Sequence, residues 1–209
     1  MIRLIAFDLS GTLIERTKPY PPIVAVAALV GNAEKATMLL ELHHAGKLAY
    51  EEIIPQIMAL SKGAKVRDLN NIFTSFHFFE NVAEIVLELK RMKIKLALIS
   101  TVHRQLAELV AKKLNFDYVY ATEVEVKNGE FTGNVIRAWS DKGAAIKDIM
   151  KKEKLEPEEC MAVGDSRGDI GMFESVGTSV LFRPKLVNKE IANYVINDFR
   201  DIIKLAEQR

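Results

Sequence analysis

MIRLIAFDLSGTL, residues 1–13, decides how the rest of the chain is read. Ile2 to Phe7 is a short, almost continuously apolar run, and it stops on a carboxylate, Asp8. A run this short with no polar alternation suits a strand buried on both faces of a parallel sheet. It is too brief for a secretory signal, and Asp8 interrupts it before any cleavage site, so export is not expected.

Four later stretches repeat the pattern. Lys95 to Ile99 ends on Ser100, Cys160 to Val163 ends on Gly164-Asp165, and Tyr118 to Ala121 and Ser179 to Phe182 complete five candidate strands. Helix-spaced apolar residues lie between them: Val82, Ile85, Val86, Leu89 and Met92, then Leu106, Leu109, Val110 and Leu114, then Ile146, Ile149 and Met150. Met172, Phe173 and Val176 suggest a further short helix. Strands alternating with helices predict an α/β fold, a doubly wound parallel sheet with a Rossmann-like core.

Two stretches break the alternation. Residues 122–135, TEVEVKNGEFTGNV, change polarity every second residue around Asn128-Gly129, a strong hairpin signal. Residues 14–79 show no strand pattern. Their apolar residues fall at helix spacing around 23–30, 34–44, 50–61 and 66–78, with Pro19, Pro21 and Pro22 at the start. Pro55 is expected to kink or split the third piece. The expected organisation is a core of residues 1–13 and 80–209, with a helical cap domain, 14–79, inserted after the first strand.

Composition narrows the function. With 29 Lys+Arg against 28 Asp+Glu the chain lacks the basic excess of a nucleic-acid or membrane-surface binder. Its longest later apolar run, Ile23 to Val30, is far short of the roughly 20 residues a spanning helix needs. Cys160 is the single cysteine, which excludes an intramolecular disulfide and a cysteine zinc cage. A cytoplasmic protein, monomer or homodimer, is expected, with neither nucleic acid nor membrane as partner. There is no GxxxxGK and no GxGxxG, so neither an NTPase loop nor a dinucleotide fingerprint is present.

Asp8, Ser100 and Asp165 all close predicted parallel strands. In an open α/β sheet that edge holds the ligand crevice, so the three should converge there. Asp169 follows in GDSRGD. Three carboxylates in one crevice repel one another unless a cation sits among them, and all-oxygen ligation suits Mg²⁺. Ser100-Thr101, between a strand and a helix, offers hydroxyls and free helix-start N–H groups to a phosphate. Taken alone the pair reads as an N-cap, and Lys142 taken alone reads as a solvated lysine. His43 and His44 are adjacent on a helix and cannot face one metal together. Trp139, Phe76, Phe78 and Phe79 read as packing.

The order Asp, Ser, Lys, Asp-x₃-Asp resembles the haloacid dehalogenase-like superfamily of aspartate-nucleophile phosphotransferases. Its DxDGT motif is similar to DLSGT (8–12), its strand-ending Ser/Thr to ALIST (97–101), its lysine to Lys142 in SDKGAAIKDI, and its acidic motif to VGDSRGDIGMF (163–173). The resemblance covers essentially the whole chain. The phosphoserine phosphatase-like branch also shares GKLAYEE (46–52), the KNGEFTG hairpin and FRPKLVNKEIA (182–192). The resemblance implies a phosphatase acting on a small phosphorylated metabolite through an aspartyl-phosphate on Asp8. Mg²⁺ would be held by Asp8, the Ser10 carbonyl, Asp165 and Asp169. Ser100, Thr101, Lys142 and the Gly11 backbone would hold the phosphate.

The chain departs from the pattern at Ser10, where hydrolytic members carry a second Asp as general acid and base. A serine hydroxyl is no useful base near neutral pH, and general acid–base help is worth about 10²–10⁴-fold. A slow phosphatase, a pseudo-phosphatase binding metal and phosphate, and a phosphotransferase- or phosphonatase-type activity all fit this departure. His103 and Arg104 are candidate substitutes, although as exposed helix residues both have a simpler reading. The acidic and arginine positions that grip phosphoserine in that branch fall on Thr17, beside Glu15 and Arg16, and on Pro55, which leaves the substrate open.

Overall fold

Residues 1–15, 19–184 and 189–208 are described in a computed structural model of the chain. β1 (Leu4–Phe7) is buried along its whole length. It lies between β2 (Lys95–His103) and β5 (Cys160–Gly164), parallel to both. β6 (Thr178–Phe182) and β7 (Tyr194–Ile196) extend the sheet on one side. On the other side come β3 (Tyr118–Lys127), parallel to β2, and β4 (Glu130–Arg137), the antiparallel edge. The seven strands run in the order β4-β3-β2-β1-β5-β6-β7.

Side chains alternate across a strand, so the uniformly apolar runs feed two cores at once. Ile5, Phe7, Leu96, Leu98, Met161, Val163 and Phe182 join one cluster, where they meet α5 (Val82–Arg91), α6 (Arg104–Leu114) and α9 (Asp201–Glu207). Leu4, Ala6, Ala97, Ile99, Cys160, Ala162 and Leu181 join the other, under α7 (Lys142–Glu153) and the short α8 (Ile170–Phe173). Helices on both faces give the doubly wound α/β architecture that the strand–helix alternation predicts.

The five predicted strands are all present, and two more join them. β4 is the return arm of the hairpin: Asn128 and Gly129 have φ of 52° and 79°, the pair of left-handed residues a tight two-residue turn needs. β7 has three residues, too few to leave a periodic signal.

Between β1 and α5 the described residues hold four α-helices and no strand: α1 (Pro22–Ala28), α2 (Ala33–His44), α3 (Tyr50–Ala59) and α4 (Leu69–Thr74). Of the kink or split expected at Pro55, the split does not occur, because α3 runs through it unbroken. The carbonyl it deprives of a partner is that of Glu51, and Pro55 and Glu51 are both exposed, so water can take the place of the lost N–H. Ile53, Ile54, Ile57 and Met58 hold the other side of the helix in the core.

This helical insert is tied to the hairpin by main-chain hydrogen bonds. Gly63 N donates to Phe131 O (2.8 Å), Phe131 N to Ala64 O (3.0 Å) and Val66 N to Gly129 O (2.9 Å). Among the described residues no helix is long and apolar enough to cross a membrane.

Candidate active site

Register brings the functional side chains together. Phe7 pairs with Leu98 on one side and Val163 on the other, so Asp8 sits one step beyond the paired strands, close to Ser100 and Asp165. Asp8 N donates to Val163 O at 2.9 Å, which fixes the strand end. Lys142 arrives from the sheet face as the first residue of α7. The N-cap Asp141 takes hydrogen bonds from Gly143 N (2.8 Å) and Ala144 N (3.2 Å), and this sets where the helix begins.

Lys142 Nζ donates to Asp8 Oδ1 at 2.5 Å and to Asp169 Oδ1 at 2.7 Å, with all three residues buried. The second oxygen of Asp169 accepts from Asp165 N (3.0 Å), Ser166 N (3.0 Å) and Ser166 Oγ (3.2 Å), so this carboxylate is held on every side. Lys142 is therefore no solvated lysine. Its charge state is locked: the two carboxylates outweigh burial and hold its ammonium well above the usual range. Asp8 moves in the opposite sense to a salt-bridged carboxylate. Burial, with Asp169 and Asp165 nearby, pushes it up to about 7 despite Lys142.

Carboxylate oxygens of Asp8, Asp165 and Asp169 lie within 4.8 Å of one another. With all three carboxylates ionised, the one ammonium leaves two negative charges in a buried, oxygen-lined crevice. A hard divalent cation matches that donor set in charge and in ligand type. Gly11 makes the cluster possible: at φ +93° a Cβ there would stand 2.1 Å from Asp165 Oδ2. The Gly11 N–H is already donated to Ile14 O at 2.8 Å, so this residue contributes room for Asp165 instead of the phosphate-binding N–H that the resemblance implied.

Ser10 Oγ is buried and has no hydrogen-bond partner among the described residues. Ser100 and Thr101 are buried at the crevice edge. They do not open a helix, as the sequence suggested: β2 continues to His103 and α6 starts at Arg104, so the helix-start N–H groups lie further on. Thr101 Oγ1 lies 3.2 Å from the Tyr50 hydroxyl of α3.

The two substitute bases fail. His103 is fully buried at the end of β2 instead of exposed on a helix. Its Nε2 lies 2.9 Å from Ser61 Oγ, its ring packs edge-on against Phe131 at 4.8 Å, and burial lowers its pKa to about 3. Arg104 is partly exposed and paired with Glu108 and Glu123, each at 2.8 Å. Pro55 is exposed on α3, whose sequence YEEIIPQIMA contains no arginine. Arg16 and Thr17, and residues 185–188 of FRPKLVNKEIA, lie outside the described residues. His43 packs on Tyr50 (ring centroids 4.6 Å apart), Phe79 on Phe182 and Trp139 on Tyr120, all as packing residues. Sequence reasoning missed Tyr50 as a crevice residue, and only its place within GKLAYEE pointed to it.

Residues 5–174 match the family described as haloacid dehalogenase-like hydrolase. A phosphoserine phosphatase of Archaeoglobus fulgidus is 30% identical over 194 residues, covering 91% of this chain, and the chain spans 55% of that relative's length. A phosphoserine phosphatase of Methanocaldococcus jannaschii is 28% identical over 207 residues, covering 97% of this chain and 96% of the relative. A solved structure described as a phospho-aspartyl intermediate analogue of phosphoserine phosphatase superposes with a TM-score of 0.81 at 28% identity and covers 98% of both chains. With Asp8, Lys142, Asp165 and Asp169 gathered at one sheet edge and that match running through all four, the chain belongs to the haloacid dehalogenase-like hydrolase family and resembles its phosphoserine phosphatases.

Proposed function

We propose that the protein is a Mg²⁺-dependent phosphomonoester hydrolase that works through an aspartyl-phosphate on Asp8. The observation that carries this reading is the Lys142 ammonium clamped between Asp8 and Asp169 inside a buried three-carboxylate cluster. Asp8, Asp165 and Asp169 would hold the metal, together with the main-chain carbonyl of Ser10. When bound, the cation supplies the positive charge that lets an anionic nucleophile approach an anionic phosphate.

Asp8 attacks phosphorus in line with the departing ester oxygen, dividing one hard displacement into two easier ones. Lys142 orients the Asp8 carboxylate and offsets charge on the phosphoryl oxygens, and the Ser100 hydroxyl holds those oxygens. Asp169 keeps Lys142 in place through one oxygen and the 165–166 backbone through the other. Residues 14–79 act as the cap that selects the substrate, a small phosphorylated metabolite. α3 brings no arginine to grip an amino-acid carboxylate, so phosphoserine itself is not assigned.

Ser10 removes the carboxylate that would otherwise serve as acid and base, which slows turnover by about 10²–10⁴-fold against an aspartate at that position. Phosphate release from p-nitrophenyl phosphate and a metabolite panel with Mg²⁺ tests the reading. Asp8→Asn is expected to lower it at least about 10³-fold, and Ser10→Asp to raise it. Equal release from wild type and Asp8→Asn overturns the nucleophile.

A further inference from the structure

Tyr50 opens α3 in the helical insert, yet its hydroxyl reaches across to Thr101 Oγ1 at 3.2 Å, on the strand that carries Ser100. Its ring is braced by His43, with centroids 4.6 Å apart, and Glu52 takes a hydrogen bond from Ala49 N at 2.6 Å, fixing the start of the helix that aims it. Thr101 is the neighbour of Ser100 at the crevice edge, so this contact brings the phenol to the rim of the same crevice. Either oxygen of the Tyr50–Thr101 pair can donate. With Thr101 as donor, the phenolic hydrogen is left for a ligand.

In-line attack places the departing ester oxygen on the side of phosphorus opposite Asp8, away from the sheet edge and towards the insert. The chain has no carboxylate at position 10 to meet that oxygen, and His103 and Arg104 are both engaged elsewhere. We propose that Tyr50 is a catalytic residue for the leaving group: its hydroxyl, propped by Thr101, donates a hydrogen bond to the ester oxygen of a bound phosphomonoester as the P–O bond lengthens. This rests on the hydrolase reading above. Burial also holds the phenol above its ordinary pKa, which keeps the hydrogen in place at neutral pH.

A leaving-group comparison tests it. Wild type and Tyr50→Phe are assayed with Mg²⁺ on p-nitrophenyl phosphate, whose phenolate leaves unaided, and on phenyl phosphate, whose more basic oxygen needs the hydrogen bond. Tyr50→Phe is expected to lose about tenfold in kcat/KM on phenyl phosphate, the worth of one hydrogen bond to a charged group. On p-nitrophenyl phosphate it should lose less than about twofold. Its melting temperature should match wild type, because the ring still packs on His43. Equal losses on both substrates, or no loss on either, overturn the proposal while leaving the Asp8 nucleophile standing. Absence of Asp8-dependent turnover in the wild type overturns both.

Discussion

Lys142, at the start of α7, and His103, at the end of β2, are both buried, and they meet opposite fates. Desolvation disfavours a cation at each position. At the crevice, Asp8 and Asp169 stand 2.5 and 2.7 Å from the ammonium and keep it charged. At the junction between β2 and the insert, the imidazole meets a serine hydroxyl and a phenyl ring, and burial drives its pKa down to about 3. Burial alone therefore does not assign function. A buried cation stays ionised where carboxylates face it, and the crevice holds one carboxylate more than a lysine and a monovalent ion together would balance.

The largest expected effect breaks the crevice side of this contrast. Lys142→Met leaves buried carboxylates without their cation and should cost about 3–5 kcal/mol of stability in protein stripped of metal with a chelator. Urea unfolding measures it, and added Mg²⁺ should recover part of the loss. A change below about 1 kcal/mol would show that the carboxylates do not depend on Lys142.

Next comes a pair of opposed pH slopes, each on the order of 2–4 kcal/mol. Asp8 is raised from 3.8 to about 7, so in chelator-treated protein its contribution is full below pH 4 and is lost as pH rises towards 7. His103 is lowered from 6.5 to about 3, so its contribution is present above 6.5 and is lost as pH falls towards 3. Stability curves of Asp8→Asn and His103→Gln over pH 4 to 7, each subtracted from wild type, should slope in opposite directions. Two slopes of one sign refute the contrast. Saturating Mg²⁺ should flatten the Asp8 difference and leave that of His103.

The smallest effect sharpens the junction. Ser61→Ala removes the partner of His103 Nε2 and should cost about 1 kcal/mol in thermal unfolding. Phosphate release at saturating substrate should stay within about twofold of wild type.

Much of this is legible in the amino-acid sequence. β1, β2 and β5 were readable because each is a short apolar run that ends on a chemical residue, and strand ends in a parallel sheet must share an edge. The crevice followed from Asp8, Ser100, Asp165 and Asp169 being those ends, and the hairpin from Asn128-Gly129. Three of the failures share a cause: they depend on distant segments. His103 looked exposed because the Ser61 that accommodates it lies 42 residues away. Thr101 looked like a helix start because nothing local shows β2 continuing to pair with Thr122 at His103. Tyr50 carries no local signal of its own, because the Thr101 it meets lies 51 residues away. Pro55 misled for the opposite reason, since the local rule against proline in a helix is relaxed where solvent can reach the orphaned carbonyl.

The main-chain ties from Gly63, Ala64 and Val66 to β4 have a consequence for anyone redesigning the molecule. β4 is the terminal strand of the sheet, and residues 63–66 occupy the outward hydrogen-bonding groups of Gly129 and Phe131. Excising the helical insert would therefore do more than remove four helices. It would uncover an adhesive strand margin that readily recruits a second chain, so a trimmed variant should self-associate unless that margin is blocked by a charge or a proline.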